Sequence, residues 1–162
     1  MLVSNFQASS CHLVIAVHSS FCGANVPNYL LIRAGRCHQH VQALILLLFS
    51  IVDFVGGNVA LKQIFDAKIY GPGNEREVIP GIDHVVSAGD TVQVGNFKAE
   101  VMDVGGHTVG HIAFYFPEQS TIFVGDSLFA LGCGKMFEGT PSQFWSSLQR
   151  LRDLPDDTIV YW

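Results

Sequence analysis

Two segments of this chain place metal-type side chains where strands end. One is Gly105-Gly106-His107-Thr108-Val109-Gly110-His111, and the other is Phe123-Val124-Gly125-Asp126-Ser127-Leu128-Phe129. A ligand at a strand end is held by the sheet, and neighbouring glycines let the backbone turn sharply beside it. A neutral imidazole suits a borderline metal such as zinc, and a carboxylate can bridge two ions. Taken singly, His107 and His111 would read as hydrogen-bonded strand-edge residues and Asp126 as a turn cap. Two such segments in this order, the second after an apolar strand, favour the metal reading. Ser127 lacks a Gly-x-Ser-x-Gly setting, so it reads as a turn hydroxyl and not as a nucleophile. Gly132-Cys133-Gly134 is not followed by Gly-Lys-Ser/Thr, so it does not read as a phosphate loop. Nothing adjacent clearly lowers the pKa of Cys133, which reads as a small loop residue.

The elements that must carry these residues follow from pattern. Thr91–Val94 and Phe97–Val104 alternate around Gly95-Asn96, a hairpin signal. His111–Phe116 and Thr121–Val124 form a second strand pair around Pro117-Glu118-Gln119. Thr140-Pro141 opens a helix to about Leu154, with proline at its first position. Phe144, Leu148 and Leu151 share one face of it. Ile159–Trp162 is a further strand. Upstream, Leu13–Val17, Tyr29–Ile32 and Ala43–Val52 are strand candidates, Asn58 caps a helix through about Phe65, and Lys68–Tyr70 is a short strand. Residues 73–90 read as loop. Strands with single helices in two halves predict an α/β or α+β layered domain.

With 162 residues, 49% hydrophobic and 14% charged, the chain is long and apolar enough for one domain with a core. Its formal charge of −5 and lack of a basic run argue against nucleic acid as a partner. Cys11, Cys22, Cys37 and Cys133 form no CxxC pair, and no Lys or Arg precedes an early apolar stretch. Those features predict an intracellular protein, cytoplasmic or organellar, without a secretion signal. Ala43–Val52 is too short for a span of roughly 20 residues, and Asp53 follows at once, so no membrane association is expected. Nothing in the pattern selects an oligomeric state. Before residue 60 the only charged residues are Arg33, Arg36 and Asp53. This break predicts an atypical N-terminal segment, residues 1–54, with partial sandwich strands, ahead of a domain core, residues 55–162.

Several blocks together carry a resemblance: Val55-Gly56-Gly57-Asn58, Ile79-Pro80-Gly81-Ile82-Asp83-His84, Gly106-His107-Thr108-Val109-Gly110-His111, Val124-Gly125-Asp126 and Leu154-Pro155-Asp156-Asp157-Thr158. The most specific is Gly132-Cys133-Gly134-Lys135-Met136-Phe137-Glu138-Gly139-Thr140-Pro141. From Gly56 to Tyr161 the chain resembles glyoxalase II, the hydroxyacylglutathione hydrolase branch of the metallo-β-lactamase-fold hydrolases. The resemblance implies a four-layer αβ/βα sandwich, here incomplete at the C-terminus, with a binuclear site for zinc, iron or manganese. It implies cleavage of a small-molecule glutathione thioester, S-lactoylglutathione, to D-lactate and glutathione, the reaction of methylglyoxal detoxification. By that likeness His107 binds the first metal and Asp126 bridges both. Asp53 belongs to the second metal, and Asp53 and Asp126 are the catalytic carboxylates. Lys135, Met136 and Phe137 line the substrate, with Phe137 where some members carry tyrosine, and His111 is structural.

The chain also departs from that pattern. The family runs Thr-His-x-His-x-Asp-His ahead of Val-Gly-Gly-Asn, whereas this chain has Leu48-Phe49-Ser50-Ile51-Val52-Asp53-Phe54. Phe49, Ile51 and Phe54 stand where histidines belong. The sequence ends at Tyr161-Trp162, where the family continues with Gly-His-Glu and a helical region. Each metal would keep two ligands, Asp126 being shared, while catalytic zinc normally has three. His38 and His40 form a His-x-His, but well upstream of the family position. The ligand count therefore predicts weak or absent hydrolysis by this chain. Two alternatives stay open: a metal-free relative that binds thiols, glutathione conjugates or another protein, and a fragment whose first 54 residues are not the family's own start.

Overall fold

The computed structural model of the chain describes residues 2–8, 11–17, 30–34, 43–46 and 58–162. Two sheets organise it. The first has six strands in chain order: β1 (Leu2–Ala8), β2 (Cys11–Val17), β3 (Leu30–Ala34), β4 (Ala43–Leu46), β5 (Lys68–Pro72) and β6 (His84–Val86). β1 to β4 pair antiparallel, and β4, β5 and β6 run parallel. The β4–β5 connection contains α1 (Asn58–Phe65), as a parallel crossover requires. The second sheet has five strands, β7 (Thr91–Val94), β8 (Phe97–Asp103), β9 (Ile112–Phe116), β10 (Thr121–Phe123) and β11 (Ile159–Tyr161), in the order β11-β10-β9-β8-β7. Between β10 and β11 lies α2 (Pro141–Arg152), which makes that pair parallel as well.

The second sheet is covered on both faces, and its strands show it. Every residue of β9 is buried. Alternation sends Ile112, Phe114 and Phe116 into one cluster with Val92, Val94, Ala99, Val101, Phe123 and Val86, the last from the first sheet. Ala113 and Tyr115 enter a different cluster with Ile122, Val124 and Leu151 of α2. One face of the sheet therefore meets the other sheet, and the opposite face meets a helix. The result is an α/β layering of two sheets with α2 on the far face of the second.

Local signals account for much of this. The β7–β8 register closes Val94 against Phe97, which leaves the expected two-residue turn at Gly95-Asn96. Thr140 caps α2, its Oγ1 accepting from Gln143 N at 3.2 Å, with proline next. Other expectations are corrected. Asn58 opens α1 as its first residue, is fully buried, and its side chain makes no hydrogen bond among the described residues, so it does not cap. The supposed loop 73–90 contains a 3-10 turn, Gly73–Glu75, and β6. β6 has three residues and owes its conformation to parallel pairing with β5, which no local periodicity announces. β1 also had no anticipated counterpart. Residues 47–52 of the expected Ala43–Val52 run lie outside the described residues.

Asp83 joins α1, β5 and the approach to β6. Its carboxylate accepts from Lys62 Nζ at 2.7 Å and from Ile69 N at 2.9 Å, while Lys62 Nζ also donates to Gly81 O at 3.1 Å. Burial pushes this carboxyl up, but the bonds from Lys62 and Ile69 outweigh it and hold it below the usual carboxylate range.

Candidate functional site

The site grows from two loops at neighbouring strand ends of the second sheet. The first joins β8 to β9 and carries His107. Val104 N donates to His111 O at 3.0 Å, and Gly106 N donates to Thr108 O at 2.8 Å. From α2, Ser147 Oγ donates to Gly105 O at 2.7 Å and Gln143 Nε2 donates to Val109 O at 3.2 Å. Val109 N donates to Glu138 Oε2 at 3.1 Å. From the 3-10 turn after β5, Glu75 Oε1 accepts from Thr108 Oγ1 at 2.5 Å and from Gly110 N at 3.1 Å. The second loop follows β10. Gly125, at φ +53°, turns the chain so that Asp126 leaves the strand toward His107.

A third segment, 132–139, folds back over both. Phe137 N donates to His107 O at 3.1 Å and Gly139 N donates to Gly106 O at 3.3 Å. His107 Nδ1 lies 2.6 Å from Lys135 O. A carbonyl only accepts, so Nδ1 carries the proton. That fixes the tautomer and turns Nε2 toward Asp126 Oδ2, 3.4 Å away. Burial pushes the Asp126 carboxyl above the usual carboxylate range, while the His107 ring pulls the other way. An imidazole nitrogen and a carboxylate oxygen at this separation can share a proton or flank a cation. The Phe137 ring stands edge-on to His107 with centroids 5.1 Å apart, and Lys135 Nζ lies 4.6 Å from the Phe137 centroid. Lys135, Met136 and Phe137 are exposed. The structure thus brings His107, Asp126, Lys135 and Phe137 together. Asp53, with Phe49, Ile51, Phe54, His38 and His40, lies outside the described residues.

His111 sits behind His107, fully buried, with ring centroids 6.0 Å apart. Ser127 Oγ donates to Val104 O at 3.0 Å, so its 3.1 Å contact with His111 Nδ1 is a bond donated by the imidazole. Ser127 is fully buried and ties the two loops together. Burial first, and then the neighbouring His107, hold the His111 pKa well below the ordinary 6.5. The unfolded chain takes up a proton near pH 6.5 that the folded chain refuses. The stability this confers is complete above that pH and is lost as pH falls below it toward the folded value. Denaturant titrations at pH 7.5 and pH 5 should therefore show a loss of stability that is smaller in His111→Asn. Asp126, acting with the opposite sign, is present in both proteins and cancels in the difference. An identical pH dependence in the two proteins would contradict this.

Glu75 escaped the sequence reading. It lay in a stretch read as loop, its partners are more than thirty residues away, and no motif marks it.

This arrangement, ligand-type residues in the loops after β8 and β10 at one edge of a two-sheet sandwich, has known counterparts. The profile of the metallo-beta-lactamase superfamily matches residues 52–161, and the chain belongs to that superfamily. Its fold is shared with the crystal structure of BLEG-1 B3 metallo-beta-lactamase, at TM-score 0.68 and 16% identity over 98% of this chain and 90% of that one. In sequence the chain is similar to the hydroxyacylglutathione hydrolase of Hyphomonas neptunium, 53% identical over 109 residues. The hydroxyacylglutathione hydrolase of Erythrobacter litoralis is 54% identical over 109 residues. In both comparisons the aligned region is 67% of this chain and 43% of the relative. The chain thus spans less than half the length of the curated relatives it matches.

Membership of this superfamily implies a binuclear metal site. Among the described residues no group of three or more His, Cys, Asp or Glu side chains converges. His107 and Asp126 are oriented as two donors to one ion would be. By themselves the described residues do not fit a two-metal centre. Among the described residues no helix is long and apolar enough to cross a membrane.

Proposed function

We propose that this chain carries the substrate-side elements of a hydroxyacylglutathione hydrolase and receives a glutathione thioester beside the His107–Asp126 pair. The observation that carries the reading is the fold-back of residues 132–139, which sets the Phe137 ring against the imidazole of His107 and the Lys135 ammonium over the Phe137 ring. Glutathione presents carboxylates, and an exposed ammonium attracts one as a point charge. The Phe137 face and Met136 offer apolar surface to the acyl–sulfur portion. His107, held by Lys135 O, aims Nε2 at Asp126. A carboxyl of raised pKa is the better base, so Asp126 is the residue assigned to accept the proton of a water adding to the thioester carbonyl. The carbon–sulfur bond then breaks, sulfur leaves as thiolate and takes up a proton, and the acyl group departs as the acid.

With zinc, iron or manganese bound, Asp53, His107 and Asp126 would be its ligands and the ion would supply the activation of water in place of Asp126, with His111 structural. The second reading, a binder of glutathione conjugates without hydrolysis, is favoured by the lack of a third convergent donor among the described residues. One titration tests the shared part. S-lactoylglutathione added to the isotopically labelled chain should shift the signals of His107, Asp126 and Lys135, and Lys135→Ala should weaken binding about tenfold, or ~1.4 kcal/mol. Loss of the thioester absorbance separates hydrolase from binder. Unchanged signals at all three residues would remove the reading.

A further inference from the structure

We propose that Glu75 is a positioning residue for His107, holding the β8–β9 loop so that the imidazole keeps its aim at Asp126. Glu75 is 7% exposed and stands on the turn that follows β5, in the first sheet, whereas the His107 loop belongs to the second. One carboxylate oxygen receives Thr108 Oγ1 at 2.5 Å and Gly110 N at 3.1 Å. Thr108 is itself buried, so both bonds are shielded from water. On the other side His107 is gripped by segment 132–139, through Lys135 O at its ring and Phe137 N at its carbonyl. The residue therefore lies between two clamps. One orients the ring and the other fixes the backbone just after it relative to the opposite sheet. A site that must hold a side chain to within a fraction of an ångström needs such support behind its contacting residues. Release of the Glu75 clamp unties Thr108 and Gly110 from the turn after β5, leaves Val109 held by Glu138 and Gln143, and lets the imidazole of His107 lose its aim.

This inference rests on the proposed thioester site, but its test reads the imidazole without ligand, so the two can fail separately. In the full chain with labelled histidines, the Nδ1 proton of His107 and its cross-relaxation with the Phe137 ring report the aim directly. Glu75→Ala is expected to speed exchange of that proton about tenfold, the equivalent of one hydrogen bond, and to abolish the cross-relaxation. Amides of Val101 and Phe114 in the core should keep their exchange rates. Glu75→Gln retains a carbonyl oxygen able to accept both bonds and should restore the wild-type ring signals. Should Glu75→Ala not fold, Thr108→Val removes one of the two donors at nearly constant volume and should move the ring signals in the same direction. Unchanged His107 signals in the folded variant, or core amides accelerated by the same factor as the ring proton, would overturn the assignment. The wild-type thioester titration then reports separately on the site itself.

Discussion

Replacing Phe114 by alanine should remove about 3–5 kcal/mol of unfolding free energy. Phe114 is fully buried at the middle of β9, paired in register with Val101 on one side and Phe123 on the other. Its side chain points to the face that meets the first sheet, among Val92, Val94, Ala99 and Phe116. Side chains fixed by two sheets cannot collapse far into a vacated space, so the cavity cost adds to the lost transfer energy. For a chain of this size each kcal/mol moves the melting midpoint by roughly 2–4 °C, which gives a drop of about 6–20 °C. A denaturant melt measures it, with the slope unchanged if only the native state is affected. A loss below about 1 kcal/mol would mean that the two sheets do not pack as described.

The second large effect is expected at Gly134. A β-carbon there would run into the carbonyl oxygen of Asp126, with Asp126 C at 3.0 Å and His107 Nδ1 at 3.3 Å. Those obstacles are backbone and a hydrogen-bonded ring, and neither can rotate aside as a flexible side chain would. Gly134→Ala should therefore push segment 132–139 away from the strand ends at a cost of about 1–3 kcal/mol. The same shift breaks the 2.6 Å contact between Lys135 O and His107 Nδ1, so conjugate binding should fall with stability. Gly132→Ala is the control, because nothing lies within 4 Å of a β-carbon built there. A Gly134→Ala protein that melts like Gly132→Ala would show that the close approach does not exist.

The two substitutions separate what chain pattern announces from what it hides. Phe114 was legible: it alternates with Ala113 and Tyr115 in a run bounded by a turn, and either sheet face would bury it. The hairpin at Gly95-Asn96 and the opening of α2 at Thr140-Pro141 were legible for the same reason, since their bonds close within a few residues. Gly134 was visible only as one glycine in a resembling block. Its need for empty space comes from Asp126, brought against it by the turn after β10.

The residues of the site divide in the same way. His107, Asp126, Lys135 and Phe137 could be named from type, order and resemblance. Their mutual geometry could not, because the proton on His107 Nδ1 is dictated by Lys135 O, a backbone atom 28 positions away. Ser127 read correctly as a turn hydroxyl, yet its bond to His111 and the burial that keeps that imidazole neutral come from packing. Glu75 had no signal at all, since a lone carboxylate in a glycine-containing stretch looks solvated until another sheet's loop descends on it.

By itself, then, the sequence determined the superfamily, the strand and helix signals whose bonds are local, and the residue types available for chemistry. Tertiary structure alone decided the tautomer of His107, the buried role of Glu75, the strand status of β6 and the space that Gly134 must leave open. The reason is range: a hairpin turn or helix cap is completed within a few residues, whereas these features depend on atoms that only long-range folding brings within bonding distance.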